Sequence, residues 1–134
     1  MPKNVALSEE AKRLLGGVNF GHLATLMPDG SPQVTPVWVD HDGEYVLVNT
    51  EEERQKPKNM RNDPRVALSI TDSENPYTWV VIRGRVVDMT HEGGNDHIDK
   101  MAKKYMGQDK YPFYQPGRAR IIVKIEPQAV TSSA

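Results

Sequence analysis

A small, mainly β barrel with short helices at its ends is the fold this sequence predicts, and three features carry that prediction. Alternating apolar and polar residues, the period of a half-buried strand, recur along the chain. Turn signals built from Pro, Asp, Asn and Gly separate these runs. Between them lie short stretches with helical spacing, giving about six antiparallel strands and a few helices of two to four turns. The chain has 134 residues and a mass of 15.1 kDa, the size of one domain. With 37% hydrophobic residues and a mean hydropathy of −0.62, it has little apolar material for a second core. One domain over residues 1–134, completed by a partner chain, is therefore expected.

The elements follow in order. LSEEAKRLLGG reads as a helix with Ser8 as its cap, acids in its first turn and Gly16 and Gly17 as its stop. NFGHLATLMPDGSPQVTPVWVD is a hairpin about Pro28, Asp29 and Gly30, where proline presets one dihedral and glycine accepts a positive φ. EYVLVNT, after Asp42 and Gly43, is a third strand, expected beside the second in a tight hairpin. In KPKNMRNDP, Pro57 suits a first helical position and Pro64 enforces an end. RVALSITD and YTWVVIRGRVVDMT are two more strands, the second long enough to bend at Gly84. After Gly93 and Gly94, residues Ile98, Met101, Ala102 and Tyr105 share one helical face. RARIIVKIEPQAV closes the chain as a strand.

Composition excludes several function classes. Without cysteine there is no disulfide framework, thiolate metal site or cysteine nucleophile. A net charge of −1 and a pI near 6.4 argue against a broad nucleic-acid face. No apolar run reaches the roughly 18 residues of a membrane span, and the N-terminus lacks a secretory apolar core, so a soluble, cytoplasmic protein is expected. His22, His41, His91 and His97 show no metal-binding spacing, so no metal is assigned; His91 and His97 are expected to face solvent. No nucleophile elbow is legible, which disfavours hydrolysis.

RQKPKN, residues 54 to 59, concentrates Arg54, Lys56 and Lys58 in a nearly neutral chain. If Pro57 opens the helix, the amides of Lys58 and Asn59 point outward from its N-terminus, with two cations just before it. Backbone donors, the helix dipole, a guanidinium fork and an ammonium then converge as they do at phosphate sites. The alternative is a solvated basic turn that neutralises Glu51, Glu52 and Glu53.

GHLATLMPDGSPQVTPVWVDHDGEYVLVNT, RQKPKN, DPRVALSI, VVIRGRVVD and KKYMGQDKYPFYQPGRARIIVKIEP, in that order and spacing, resemble the flavin- and deazaflavin-dependent oxidoreductases related to pyridoxamine phosphate oxidase. The resemblance covers almost the whole chain. It implies a split β-barrel, FMN-binding-protein-like and homodimeric, with two cofactor sites at the dimer interface. It implies that Arg54, Lys56 and Asn59, an Arg-x-Lys-x-x-Asn pattern, grip the cofactor phosphate, with Asn59 as ligand or brace. Pro57 departs from the commoner family sequences, but a first-turn proline lacks only an amide that would be unpaired anyway.

The GHLAT opening and the KYMGQDKYP segment are most similar to the deazaflavin branch, which implies coenzyme F-420; flavin mononucleotide (FMN) is the alternative, since both carry a ribityl phosphate under a tricyclic ring. By resemblance the ring lies along Gln33, Val34, Thr35, Pro36 and Val37, although Pro36 also suits an edge or bulge. Val48, Asn49 and Thr50 lead into the phosphate loop. Tyr77, Thr78 and Trp79 are implied to come from a partner chain, while Trp79 reads equally as barrel core. Arg118 is either a surface cation or a contact for the acidic tail of the deazaflavin coenzyme. The implied chemistry is hydride transfer to a conjugated, electron-poor small molecule such as an enone, quinone or tetrapyrrole, with the cofactor doing most of it and no obligatory catalytic side chain. A non-catalytic flavin, deazaflavin or tetrapyrrole carrier is the competing class.

Overall fold

The computed structural model describes residues 5–133. In chain order they form α1 (Glu9–Gly16), β1 (Phe20–Leu26), β2 (Pro32–Trp38), β3 (Asp40–His41), β4 (Val46–Glu51), α2 (Gln55–Asn62), β5 (Arg65–Thr71), β6 (Trp79–Thr90), α3 (Gly94–Met106) and β7 (Arg120–Ser132). The strands make one antiparallel sheet in the order β2-β1-β5-β6-β7-β4-β3. Its two edges, β2 and β3, are consecutive pieces of one extended stretch with only Val39 between them. The chain itself joins the edges, so the sheet curls into a barrel. Leu23, Val39, Val46, Val48, Leu68, Ile70, Ile82, Ile121, Val123 and Ile125 fill it. Among the described residues, no helix is long and apolar enough to cross a membrane.

Local chemistry explains most elements. Ser8 caps α1 by accepting the Ala11 amide at 3.1 Å, and Ala11, Leu14 and Leu15 bury the helix face that plugs the barrel. Gly30 (φ 86°) makes the β1–β2 turn possible. β6 bends at Gly84 as expected: its register with β7 shifts there, and a Cβ at Gly84 would lie 2.3 Å from the Glu126 carbonyl oxygen.

The expected third hairpin strand is placed differently. β4 does not lie beside β2. It meets β3 through two residue pairs and runs along β7 for its whole length, Val46 opposite Ile125 and Glu51 opposite Arg120. Alternation identifies a strand but not its neighbour; the apolar run of β7 offers the longer match.

Val39 marks the handover. Its neighbour Trp38 pairs with Phe20 on one sheet edge, and Asp40 pairs with Leu47 on the other. Helix α3 supplies what the ladder does not. The Val39 amide donates to Tyr105 Oη at 2.9 Å, and Tyr105 Oη donates onward to the Asn19 carbonyl at 2.7 Å. Lys104 Nζ donates to the carbonyls of Val39 (2.6 Å) and Leu15 (2.8 Å). Burial raises the Tyr105 phenol to about 12 and pulls the Lys104 ammonium down to about 8, the latter against the opposing charge of Asp40.

Two measurements check this closure. Tyr105→Phe strands a buried amide and carbonyl and should cost roughly 1–3 kcal/mol in urea denaturation with an unchanged m-value. For Lys104, the folded value near 8 lies below the ordinary 10.5, so between those pH values the unfolded chain binds the extra proton. The stability of wild type relative to Lys104→Met should therefore rise as pH increases from 8 towards 10.

Candidate functional site

The site is built outward from α2. The helix begins at Gln55, with Arg54 at its N-cap (φ −74°, ψ 163°) and no side-chain cap. That corrects the expected start: Pro57 is the third helical residue, and the amides free of helical partners are those of Gln55 and Lys56, rather than Lys58 and Asn59. The proline is still harmless, because a third-position amide also lacks a carbonyl one turn earlier. Lys58 is exposed, whereas Lys56 is half-buried; burial first, and the charge of Arg54 second, push its ammonium below the ordinary range. Asn59 is fully buried. Its Nδ2 donates to Thr25 Oγ1 at 2.9 Å, and its Oδ1 accepts from Gln55 Nε2 at 2.8 Å. Asn59 therefore braces α2 against β1 and the first turn of its own helix.

Arg54 and Lys56 border a cavity of about 320 Å³. Its opposite character comes from Phe20, Pro36, Val37, Trp38, Tyr111 and Phe113. Trp38 stacks on Tyr105 with ring centroids 5.0 Å apart and planes 3° apart, and it meets Tyr111 edge-on at 6.1 Å. Tyr111 in turn packs edge-on against Phe113 at 5.7 Å. One wall is aromatic and one corner is cationic. Space of this size, apolar with a few convergent polar groups, is the usual form of a small-molecule site.

A hydrogen-bonded chain runs behind the cavity. Arg120 Nε donates to Asn49 Oδ1 at 2.8 Å. Asn49 Nδ2 donates to the Gly94 carbonyl at 2.9 Å and lies 3.1 Å from His97 Nδ1. The amide is a donor there, so Nδ1 accepts, and His97 Nε2–H points to Asp40 Oδ2 at 3.1 Å. Lys100 Nζ reaches the same Asp40 oxygen at 3.2 Å. The expectation that His97 faces solvent is thus overturned: its side chain is 8% exposed and lies in a buried relay. His91 is exposed as expected. Beyond Arg120, Glu51 gathers Arg54, Arg118 and Arg120.

Residues 7–134 match the family described as pyridoxamine 5'-phosphate oxidase. The chain belongs to that family. Among solved structures, this family member is similar to an F-420 reductase at 34% identity, over 90% of this chain and 94% of that one, with a TM-score of 0.79. A conserved hypothetical protein from Mycobacterium tuberculosis matches at 24% identity over 97% and 86%, TM-score 0.72. General Stress Protein 26 from Bacillus anthracis matches at 16% over 93% and 92%, TM-score 0.69. The last two share the fold; the family match and the observed sheet make it a split β-barrel of the pyridoxamine phosphate oxidase type.

Of the residues singled out in the sequence, Pro36, Val37, Asn49, Thr50, Arg54 and Lys56 line this one cavity. Val48 does not: it is 1% exposed and points into the core. Gln33 and Val34 do not line it: Gln33 Oε1 lies 3.4 Å from Asn59 Nδ2, and Val34 on the same strand is 63% exposed. Thr35 Oγ1 is buried and, among the described residues, has no hydrogen-bond partner. Tyr77, Thr78 and Trp79 do not line the cavity of their own chain; Tyr77 is 87% exposed, and Trp79 is half-buried at the start of β6 rather than in the core. Arg118 borders a second cavity with His91, Gly94 and Tyr114, and Arg120 forms part of both.

Phe20, Trp38, Ile98, Tyr111, Phe113 and Arg120 are lining residues that sequence reasoning missed. Tyr111 and Phe113 carried a signal, as aromatic residues in a segment with neither strand nor helix period between Gly107 and Gly117. His97 carried none, since its partners lie 48 and 57 positions away.

The relay can be tested by titration. Burial alone would raise the Asp40 carboxyl, but His97, the His41 amide and Lys100 more than offset it and hold it at about 2, below the ordinary 3.8. Between those values the unfolded chain binds more protons, so the stability supplied by ionised Asp40 is present above pH 4 and lost as pH falls towards 2. Asp40→Asn should cost roughly 1–3 kcal/mol at pH 7. In urea titrations at successive pH values, its deficit against wild type should shrink below pH 4.

Proposed function

We propose that this chain is a homodimeric, cytoplasmic oxidoreductase that uses coenzyme F-420 to reduce a conjugated, electron-poor small molecule such as an enone, quinone or tetrapyrrole. The observation that carries this reading is the cavity itself: Arg54, Lys56 and the uncapped N-terminus of α2 at one side, and a wall of Phe20, Trp38, Tyr111 and Phe113 at the other. Those residues fit a ribityl phosphate joined to a planar ring. The 34% identity to an F-420 reductase over 94% of that chain supports the deazaflavin over FMN.

Each residue has a definite task in this reading. Lys56 and Arg54 hold the phosphate with the amides of Gln55 and Lys56, in line with the helix dipole. Pro36 and Val37 border the ring along the edge strand β2, and the aromatic wall excludes water from its face. Arg118 meets carboxylates of the coenzyme tail at the second cavity. When bound and reduced, the coenzyme supplies the hydride; the protein supplies orientation and dryness. A second copy would bring its Tyr77, Thr78 and Trp79 over the cavity, which suits the exposure of Tyr77 and the absence of all three from the lining of their own chain's cavity.

The test is a binding titration followed by intrinsic fluorescence, since Trp38 lies on the cavity wall. Coenzyme F-420 should quench it at lower concentration than FMN; equal or reversed affinities would remove the cofactor assignment. Charge-assisted hydrogen bonds are worth about 1.5–3 kcal/mol, so Lys56→Ala should weaken F-420 roughly 10-fold to 150-fold with little change in unliganded stability. The exposed Lys58→Ala is the control and should bind normally. Sedimentation should give twice 15.1 kDa. Mixing reduced coenzyme with enones, quinones and biliverdin should bleach it for at least one acceptor; a carrier would leave it unchanged.

A further inference from the structure

Glu51 is a carboxylate in the wrong place for an anion site. It ends β4, one residue before the turn that leads to Arg54, and its side chain is only 9% exposed. Its Oε1 meets Arg54 Nη2 at 3.4 Å and Arg120 Nη1 at 3.2 Å, and its Oε2 meets Arg118 Nη1 at 3.0 Å. Burial alone would raise its carboxyl; Arg118, Arg54 and Arg120 outweigh that and keep it ionised below the ordinary carboxylate range. The next acid, Glu52, is turned away to Arg61 and His91.

We propose that Glu51 is a positioning residue of this anion site, a carboxylate that strengthens phosphate binding by holding Arg54 and Arg120, the two guanidiniums that line the cavity, while its other oxygen holds Arg118 beside them. The proposal rests on the phosphate-site reading above. Two guanidiniums meet on a single oxygen of Glu51, a separation at which like charges repel unless a counter-charge lies between them. Without that carboxylate, Arg54 and Arg118, whose side chains are 55% and 53% exposed, would swing out into water. With it, each spends one nitrogen on Glu51 and keeps the rest of its donors for a ligand. Arg54, Arg120 and Lys56 at the cavity against one carboxylate still leave the place positive. The geometry is also shared with the barrel: Glu51 and Arg120 are cross-strand partners, and the Glu52 amide donates to the Ala119 carbonyl at 3.0 Å, so the arrangement is set by the β4–β7 register.

The sign of the effect is the test. Removing a negative charge from an anion site ordinarily tightens anion binding, whereas loss of a positioning group weakens it. Glu51→Gln keeps the shape and deletes the charge; Glu51→Asp keeps the charge and withdraws it by one methylene. Binding is measured for two ligands that differ only in the phosphate: the ribityl deazaflavin chromophore carrying its terminal phosphate but no acidic tail, and the same chromophore as the free alcohol. Glu51→Gln should bind the phosphorylated chromophore about tenfold or more weakly, and Glu51→Asp about threefold or more weakly, with the free alcohol within about twofold of wild type in both.

Binding of the phosphorylated chromophore unchanged or tighter in both variants overturns the proposal. Equal losses for both ligands also overturn it, because a merely structural carboxylate would not distinguish the phosphate. If Glu51→Gln fails to fold, Glu51→Asp decides by the same criterion. A wild type that does not prefer the phosphorylated chromophore over the free alcohol overturns the phosphate site itself, and shows it before any substitution is made.

Discussion

The peptide groups of Val39 are the place where a strand of this barrel runs out of neighbours, and the barrel closes because α3 brings a hydroxyl and an ammonium to them. A buried amide or carbonyl without a partner costs as much as a lost hydrogen bond or more, so this handover cannot stand alone. Once Tyr105 and Lys104 are bound to it, the position of α3 is fixed along its length. His97 and Ile98 then face the barrel, two turns earlier on the same helix. Asp40, the residue after Val39, receives His97. From His97 the contacts run through Asn49 to Arg120 and on to Glu51. Closure of the barrel is thereby linked to the seating of Arg120, whereas Arg54 and Lys56 are carried by α2.

The helix N-termini show how the chain separates support from function. α1 obeys every local rule, with Ser8 accepting an amide and Glu9 and Glu10 complementing the dipole. α2 breaks them: Arg54 stands at the cap without capping, no acid lies in the first turn, and Lys56 is half-buried beside it. Positive charge at a positive helix end is unfavourable until something negative arrives. Positions where local propensity and local electrostatics disagree are where function is expected to reside, and in this chain that disagreement sits at the cavity mouth.

The strands and turns were legible because their cause is local. The period of two in RVALSIT or VVIRGRVV requires no knowledge of the partner strand, and Gly30 and Gly84 answer to backbone geometry in their own vicinity. Of the six expected residues that line the cavity, Arg54 and Lys56 stood out by charge pattern, and Pro36 and Val37 only through the family resemblance. What stayed hidden depends on contacts between distant residues. The neighbour of β4 is decided by β7, more than sixty residues later, and the burial of His97 by Asp40 and Asn49. The start of α2 was misplaced by two residues because Pro57 is compatible with any first-turn position, so its presence did not select one.

Exposed aromatic and aliphatic residues fall into two groups, and the difference bears on what completes the protein. Phe20 and Phe113, 55% and 64% exposed, line the cavity with Trp38. Val34 and Tyr77, 63% and 87% exposed, do not line it. The barrel core is already filled by other side chains, so neither group is surplus core material. A planar ring between Trp38 and Phe113 would cover the first group and leave the second in water. A second chain resting on Val34 and Tyr77 alone would leave the cavity itself unfilled. The proposed homodimer with a ring bound at its interface covers both, because the ring then forms part of the surface on which the second chain rests. Ligand and subunit association should accordingly be coupled, each burying apolar surface that the other leaves exposed.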